Sequence, residues 1–285
     1  MCGLIIPTGG GEIGMTVLEL IKDRRSVRTF DGTGLRAQDA QSILDYAKTA
    51  DNPYGIEIEW KLLDAGKDGL SSPVIVGTET FIAGKMKQVP HAEEAFGYSF
   101  EKVVLHAWSL GVGTTWIAGT MDRKAFEKAV DVKEGEVLPC ISPLGYAAKK
   151  MSLRETLMRK AIKADTRLDA EEVFFDGSFG NPVSPEKAGI PQQIPEAVRL
   201  APSAVNKQPW RIVICENKVH FYEKYAKNYV SENGWDIRKI DLGIALCHFE
   251  LAARVCGKDV LFEISDPGLA TPDDIRYIAS FAVKN

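Results

Sequence analysis

Two long stretches, residues 96–110 and 241–255, are apolar on almost every helical face, and this constrains the fold more than any other feature. A helix without a polar face has to be buried on all sides, so each stretch predicts a central helix surrounded by other elements. Within them, Phe100–Gly113 (FEKVVLHAWSLGVG) resembles Ile244–Gly257 (IALCHFELAARVCG) in pattern. The sequence therefore predicts two related halves, as after an internal duplication.

Shorter periodic segments predict further elements around these two helices. Helical spacing or composition favours helices over residues 16–22, 38–49, 124–130, 149–167 and 196–200. Strands are expected over residues 56–65 and 137–146, and a hairpin over residues 211–215 and 219–223. The fold class predicted is α+β, with antiparallel sheets around central helices.

The glycine and proline content predicts how these elements are grouped. Residues 1–15 are interpreted as a flexible leader, although Gly9, Gly11 and Gly14 match a dinucleotide-binding pattern, because the strand and βαβ unit that this pattern requires are missing. Gly- and Pro-rich residues 166–195 are expected to form a connecting arm. The first half is then residues 16–165, and the second, degenerate half is residues 196–285.

Composition excludes several classes of partner. The net charge is -4 and the pI about 5.7, which argues against a general nucleic-acid binder. No apolar run could span a bilayer and no signal peptide is evident, so we expect a cytoplasmic protein without a membrane partner. The five cysteines are scattered and the four histidines lack metal-ligand spacing, so neither a disulfide framework nor a metal site is predicted.

The first segment whose side chains are suited to binding a ligand is RRSVR, which places Arg24, Arg25, Ser26 and Arg28 within five residues. A guanidinium presents a planar fork of donors that matches phosphate oxygens in pairs. A phosphomonoester carries about two negative charges at neutral pH, which two or three arginines can balance. The alternative is a solvated basic turn, the usual role of such a charge run.

The second segment is APSAVNKQPW at Ala201–Trp210. Pro202 ends a helix and Pro209 favours an extended entry into the following strand. Between them lie small and amide side chains that can hydrogen-bond a flat heterocycle with both donors and acceptors. The alternative is an ordinary helix-to-strand loop with Asn and Ser as turn formers.

These two segments, together with LGVGTTWIAG at Leu110–Gly119 and PLGY at residues 143–146, resemble the signature segments of the nitroreductase family of FMN proteins. In that family the Asn–Trp segment usually follows the arginines closely, on one subunit of a homodimer. Here it lies in the other half, and the corresponding first-half segment reads TADNP at residues 49–53. The chain thus resembles the single-chain, duplicated branch of the family, the TM nitroreductase type, which implies a nitroreductase-like pseudo-dimer.

The resemblance implies that a single FMN per chain lies between the halves, because only one full set of signature segments is present. In the first half it implies phosphate and ribityl contacts from Arg24, Arg25, Ser26 and Arg28, flavin-edge contacts from Ile117, Ala118 and Gly119, and a further phosphate contact from Arg154, with Lys150 and Arg159 as alternatives. In the second half it implies flavin contacts from Pro202, Ser203, Ala204, Asn206 and Gln208.

The activity implied is that of an FMN-dependent oxidoreductase with NAD(P)H as co-substrate, acting by ping-pong hydride transfer to a nitroaromatic, quinone or similar small acceptor. No side chain is assigned an acid or base role, because the flavin performs the electron chemistry. A flavin storage or sensor protein without turnover, and a non-flavin anion-binding protein, stay open as alternatives. The chain is expected to function as a monomeric pseudo-dimer, and further oligomerisation is left open.

Overall fold

The computed structural model describes residues 15–187, 189–231 and 234–284. The predicted leader and its glycine pattern lie outside this range, apart from Met15. The described residues form two compact units. The first unit is Asp23–Ala164, and the second combines Thr16–Lys22 with residues 165–284.

The helices and strands divide between the units as follows. The helices are α1 Val17–Asp23, α2 Ala37–Thr49, α3 Ala65–Asp68, α4 Ala92–Ser109, α5 Arg123–Ala129, α6 Leu153–Ala161, α7 Ala170–Val173, α8 Gln193–Arg199 and α9 Ile237–Val255. The strands are β1 Glu59–Asp64, β2 Thr80–Lys87, β3 Glu136–Val137, β4 Ile141–Leu144, β5 Phe174–Asp176, β6 Trp210–Cys215, β7 Lys218–Lys224, β8 Asp259–Glu263 and β9 Ile275–Lys284. Short 3-10 turns lie at Pro185–Lys187, Ala204–Asn206 and Lys227–Tyr229.

The first unit is built around α4, which packs on α2 and β2. Its sheet has the order β1-β2-β3, and β4 also pairs with β2; all these pairs are antiparallel. Phe96 and Phe100 of α4 are buried and pack against Trp60 of β1. The helix is enclosed because its apolar residues leave no polar face for water.

The second unit is built around α9, which packs on α8 and β7. Its five-stranded sheet has the order β5-β6-β7-β9-β8, in which only β5 and β6 are parallel among the described strands. Phe249 of α9 packs against Phe221 and Phe281 of the sheet. Each unit therefore repeats one plan, a central apolar helix on a mainly antiparallel sheet, and the predicted α+β class is confirmed.

Most of the predicted elements are confirmed with small shifts at their ends. The central helices correspond to α4 and α9, and the hairpin corresponds to β6 and β7. The strand expected over residues 137–146 is interrupted and forms β3 and β4, since Pro139 between them has no N–H for a ladder. The helix expected over residues 149–167 is shorter, Leu153–Ala161, and begins at a Ser152 cap.

Strands β2, β8 and β9 were not anticipated from the sequence. Six consecutive residues of β2, Phe81–Met86, are buried, so the strand lacks the alternation of apolar and polar residues that marks a half-exposed strand. The segment expected to be a connecting arm also contains regular structure, because α7 and β5 lie within it and β5 pairs with β6. The boundaries proposed for the two halves stay a prediction.

Two properties of the described residues concern membranes and disulfide bonds. None of their helices combines the length and apolar character needed to cross a bilayer. The four cysteines in the described range, Cys140, Cys215, Cys247 and Cys256, are free thiols.

Candidate functional site

Three of the signature segments lie side by side in the first unit. Ser26 forms a parallel bridge with Thr114, and the Val27 N–H donates to the Thr114 carbonyl at 2.8 Å. The Gly113 N–H donates to the Gly145 carbonyl at 2.7 Å, which brings the PLGY segment against the LGVGTTWIAG segment. The fold thus assembles the arginine segment and both glycine-containing segments into one small region.

The glycines of these segments are required by close packing. A Cβ on Gly113 would lie 2.9 Å from Cβ of Val27, and a Cβ on Gly145 would lie 2.8 Å from a ring carbon of Phe30. Such distances are shorter than van der Waals contact, so any larger residue would push the arginine segment away. Gly113 and Gly145 therefore fix the position of the residues that flank them.

Arg24 is a buried cation with unused donors. Its side chain is 5% exposed, and its Nε lies 3.7 Å from Oε1 of Glu101, a fully buried residue of α4. The same carboxylate accepts a hydrogen bond from Trp116 Nε1 at 3.2 Å. Neither Nε nor Nη1 of Arg24 has a hydrogen-bond partner in the described part of the chain. Buried N–H groups of this kind usually have a partner, so these atoms fit an anion such as a phosphate.

Arg28 is held by α6 through a buried carboxylate. Glu155, at 2% exposure, accepts the Arg28 N–H at 3.2 Å with Oε1 and the Thr29 hydroxyl at 2.7 Å with Oε2. Burial lowers the pKa of Arg28, the charge of Glu155 opposes that shift, and the charge of Arg159 adds to it. The guanidinium stays charged because an arginine side chain loses its proton only in strongly basic solution. Glu155 and Arg159 are therefore electrostatic neighbours of Arg28.

The basic residues proposed as alternatives differ in their surroundings. Arg154 donates from Nη1 to the Pro73 carbonyl and is exposed. Lys150 is exposed at the start of the α6 region. Arg159 is the one whose charge acts on Arg28. The contact predicted for Arg154 stays a prediction, with Lys150 and Arg159 as its alternatives.

Residues 117–119 are held by hydrogen bonds to their backbone, and the space beside Gly119 is open. Ile117 exchanges both backbone hydrogen bonds with Ile141, at 3.0 and 2.9 Å. The Ala118 carbonyl accepts from Arg123 Nη2 at 3.0 Å. At Gly119 a Cβ would meet no atom within 4 Å. This segment can present its backbone to a ligand without rearranging.

In the second unit, Ala201–Trp210 forms a strained loop. The Gln208 N–H donates to Ser203 Oγ at 2.9 Å, and a 3-10 turn closes between them. Val205, Asn206 and Gln208 have φ values of 44°, 58° and 48°. A positive φ is unusual outside glycine, and for the β-branched Val205 it is a true outlier. Strain of this type is most often retained at ligand-binding loops.

The polar side chains of this loop are already engaged within the second unit. Gln208 is 3% exposed; its Oε1 accepts from Leu168 N at 3.0 Å and its Nε2 donates to the Asn206 carbonyl at 3.3 Å. Asn206 Nδ2 donates to the Thr166 carbonyl at 3.1 Å. These amides hold the shape of the loop. Val205, by contrast, is 52% exposed at its tip.

A buried carboxyl cluster lies beneath the loop. Both oxygens of Asp241 on α9 are 3.1 Å from the Ala204 N–H. Burial raises the pKa of Asp241 well above its usual range. Burial and the neighbouring Asp236 raise the pKa of Glu223 to about 8, and in its ionised form no described donor reaches either of its oxygens. A protonated Glu223 can instead donate to Asp236, and this lets the pair share one negative charge.

Sequence reasoning did not identify the carboxylates that support both segments, namely Glu101, Glu155 and Asp241. One signal was present for two of them: Glu101 and Asp241 lie within the mainly apolar helices α4 and α9. A carboxylate that such a helix buries has to be paired. Its partner, however, lies far away in the sequence.

The predicted site residues thus fall into two groups, one in each unit. The first unit contains Arg24, Arg25, Ser26, Arg28, Ile117, Ala118, Gly119 and Arg154, and the second contains Pro202, Ser203, Ala204, Asn206 and Gln208. Each group is ordered within its own unit, and their assembly into one cleft stays a prediction. Among the described residues, no group of three or more His, Cys, Asp or Glu side chains could hold a metal ion.

The chain is similar to several solved structures. A crystal structure of a putative nitroreductase from Thermotoga maritima MSB8 is 20% identical, covers 96% of this chain and 98% of its own, and has a TM-score of 0.60. An FMN-dependent nitroreductase from Clostridium difficile R20291 is 19% identical over 50% of this chain and 94% of its own (TM-score 0.40). An iodotyrosine deiodinase bound to FMN and 3-iodo-L-tyrosine is 15% identical over 48% of this chain and 92% of its own (TM-score 0.41).

No curated protein matched the chain in the corresponding sequence comparison. The family model described as "Putative TM nitroreductase" matches residues 16–253, which is most of the chain. The match to the Thermotoga structure covers nearly the whole of both chains, and it shows that this chain has the nitroreductase-like fold. The family match supports a general oxidoreductase role. With the assembled arginine and glycine segments, these findings show that the chain belongs to the TM nitroreductase family.

Proposed function

We propose that this protein is an FMN-dependent NAD(P)H oxidoreductase that reduces a nitroaromatic, quinone or similar small acceptor. The observation that supports it most is the buried guanidinium of Arg24, which retains unused N–H groups within the assembled signature segments. An internal salt bridge would normally use those donors, whereas a bound phosphate would satisfy them. Family membership supports the same class of chemistry.

The phosphate end of the cofactor is proposed to bind the first unit. Arg24, Arg25, Ser26 and Arg28 would hold the phosphate and ribityl groups. Arg154 would complete the phosphate site, with Lys150 and Arg159 as alternatives; the charge of Arg159 acts on Arg28. Glu101 would keep Arg24 in place through its position near Nε. Among the described residues, Nε and Nη1 of Arg24 have no hydrogen-bond acceptor, so both are available to the phosphate.

The flavin ring is proposed to contact the backbone at Ile117–Gly119 and the loop of the second unit. Gly119 has open space where a side chain would stand. Because Gln208 and Asn206 are engaged within the loop, we expect them to act mainly by shaping it, and Pro202, Ser203 and Ala204 to contact the ring. A single complete set of segments per chain supports one FMN per chain, with the polypeptide acting as a monomeric pseudo-dimer.

FMN held by these residues would supply the hydride-transfer chemistry between NAD(P)H and the acceptor, in two half-reactions. The residues of this chain would bind and orient it and exclude water around the buried arginine. No acid or base is assigned to a side chain, because water can supply the protons. The charged groups close to the arginine segment, Glu101 and Glu155, are engaged with Arg24, Trp116, Arg28 and Thr29.

The test is to purify the protein, record its visible spectrum, and add NADH or NADPH without oxygen. We expect a yellow protein with close to one FMN per chain, bleached by one of the two nicotinamides and recoloured by a nitroaromatic or quinone. A yellow protein that is never bleached would instead be a flavin storage or sensor protein. A colourless protein whose melting temperature is unchanged by FMN would bind another anion.

A paired substitution tests the phosphate assignment. Arg24→Ala with Arg25→Ala should weaken FMN binding by at least about hundredfold, since each charge-assisted hydrogen bond contributes about 1.5–3 kcal/mol. The matched control is Lys48→Ala with Lys67→Ala, which removes two exposed cations from the same unit. Equal FMN affinity in both double variants would refute the assignment.

A further inference from the structure

Helix α6 presents an apolar surface to solvent. Leu153 and Leu157, one turn apart on the helix, are 84% and 68% exposed, and Met151 just before it is 40% exposed. Three of the eight large apolar side chains exposed in the described structure therefore lie within seven residues. Soluble proteins rarely concentrate exposed leucines in this way unless the surface binds something. We call Met151, Leu153 and Leu157 the leucine face.

The charge around the leucine face is of one sign. Residues 149–163 contain six basic side chains, Lys149, Lys150, Arg154, Arg159, Lys160 and Lys163, and a single acidic one, Glu155. Glu155 is 2% exposed and binds Arg28 and Thr29 inside the unit, so it does not offset the positive charge at the surface. The exposed part of α6 thus combines apolar and purely cationic side chains.

The helix is also fixed in place before any partner arrives. Ser152 caps its N-terminus by accepting from the Glu155 N–H at 3.1 Å, and the Thr29 hydroxyl contacts Ser152 Oγ at 3.1 Å. Glu155 then ties the first turn to the arginine segment. The leucine face needs no folding step to become competent, which lowers the cost of binding.

We propose that the leucine face and its surrounding lysines bind the surface of a membrane that contains anionic phospholipids. Helices with leucines on one side and lysines around them lie in the bilayer interface, where the leucines enter the acyl region and the lysines contact headgroups. Leu153, at 84% exposure, can enter an acyl layer without displacing any other side chain. A second copy of this surface is disfavoured because two positive faces would be brought together.

The overall charge of -4 does not prevent this contact. At physiological ionic strength the interaction between charges fades beyond about 8 Å, so the local cluster, not the distant acidic residues, determines attraction to a lipid surface. Binding would be peripheral, since a helix of nine residues is too short to span a bilayer. This proposal replaces the sequence-based expectation of no membrane partner and is independent of the flavin.

The experiment is co-sedimentation of the purified protein with vesicles of phosphatidylcholine alone, or with about a quarter phosphatidylglycerol. We expect binding only to the anionic vesicles, weaker at high salt. Leu153→Gln with Leu157→Gln should lower the partition coefficient about hundredfold, because two leucines no longer enter the acyl region. Lys149→Gln with Lys160→Gln should lower it about thirtyfold.

The matched control is Leu261→Thr with Ile264→Thr, a pair that is 52% and 53% exposed in the second unit. This control should sediment like the wild type, and visible spectra and NAD(P)H oxidation should be unchanged in all three double variants. The proposal is overturned if wild type stays in the supernatant with anionic vesicles at low salt, or if the control loses binding as much as the leucine variant. A concentration-dependent dimer abolished by Leu153→Gln with Leu157→Gln, without vesicle binding, would assign the face to a second copy instead.

Discussion

The Asn-containing segments of the two halves, residues 49–56 and 201–210, differ in backbone strain and in how they contact the central helix. In the first, Asn52 Nδ2 donates to the Ile56 carbonyl at 2.8 Å and its Oδ1 accepts the Ile56 N–H at 3.2 Å. The same amide reaches Ser99 of α4 at 3.1 Å. The left-handed residue of this turn is Gly55, which adopts its φ of 67° without strain.

The second segment contacts its central helix at a greater cost in folding free energy. The contact is made by the buried carboxyl of Asp241, and the positive φ values fall on Val205, Asn206 and Gln208. Residues 49–56, which lack the signature, form an unstrained turn. Residues 201–210, which have it, contain backbone strain and contact a buried carboxyl group. This is expected when a loop is retained for binding at the expense of stability.

The largest effect should come from the glycines at the ends of the central helices. Gly113→Ala would force a Cβ against Val27 and lower the free energy of unfolding by about 1–3 kcal/mol. Because Val27 lies within the arginine segment, FMN affinity should fall at least about tenfold. Urea denaturation and FMN titration measure the two effects.

The control is Gly257→Ala, directly after the C-cap of α9, where φ is 72° and space is open. It should cost about 1 kcal/mol through backbone strain and leave FMN affinity unchanged. If Gly257→Ala weakened FMN binding as much, the assignment of cofactor positioning to the first unit would be wrong.

The next effect is the pH dependence of stability in the second unit. Because the pKa of Glu223 is raised from 4.5 to about 8 in the folded state, its contribution is fully present below about pH 4.5 and is lost as pH rises through about 8. Glu223→Gln removes this loss and should stabilise the protein at pH 9 relative to pH 5, on the order of 2 kcal/mol after allowance for screening.

Thermal unfolding across this pH range provides the measurement. Glu171→Gln, which removes an exposed carboxylate in the same unit, should follow the wild-type pH profile. Parallel profiles for Glu223→Gln and wild type would show that the buried acids do not titrate as proposed.

A smaller effect should separate the two asparagines. Asn52→Ala should cost about 1–2 kcal/mol, since it removes the hydrogen bonds to the Ile56 N–H and carbonyl. Asn206→Ala should cost less, because the Thr166 carbonyl is exposed and also accepts from Arg167. FMN affinity should fall only for Asn206→Ala, because the loop of the second unit would lose its shape. An equal loss of FMN binding in both variants would remove the functional distinction between the segments.

The smallest effect concerns the strained valine. Val205→Gly should stabilise the protein by up to about 1 kcal/mol by relieving its positive φ, and should weaken FMN binding slightly by loosening the loop. The reciprocal Gly55→Val should destabilise by about 1 kcal/mol without affecting FMN. Melting temperatures measure the change in stability of both variants, and FMN titrations measure the change in binding. Destabilisation by Val205→Gly would show that Val205 is not strained.

Much of the fold could be predicted because the relevant patterns are local. The all-round apolar character of α4 and α9, and the alternation and turn of the β6–β7 hairpin, are written within each segment. β2 could not be recognised because burial on both faces removes the alternation that marks a strand. The polar residues of residues 201–210 were recognisable, but their hydrogen bonds to Thr166 and Leu168 were not.

The sequence by itself determined the family and predicted the duplication and the signature residues, because these depend on residue types in a fixed order. Only the tertiary structure decided how Arg24 meets Glu101, how Val27 limits Gly113, and how Asp241 reaches Ala204. Each of these contacts joins residues far apart in the chain. Their distances follow from how whole helices and strands pack, and no local pattern encodes that packing.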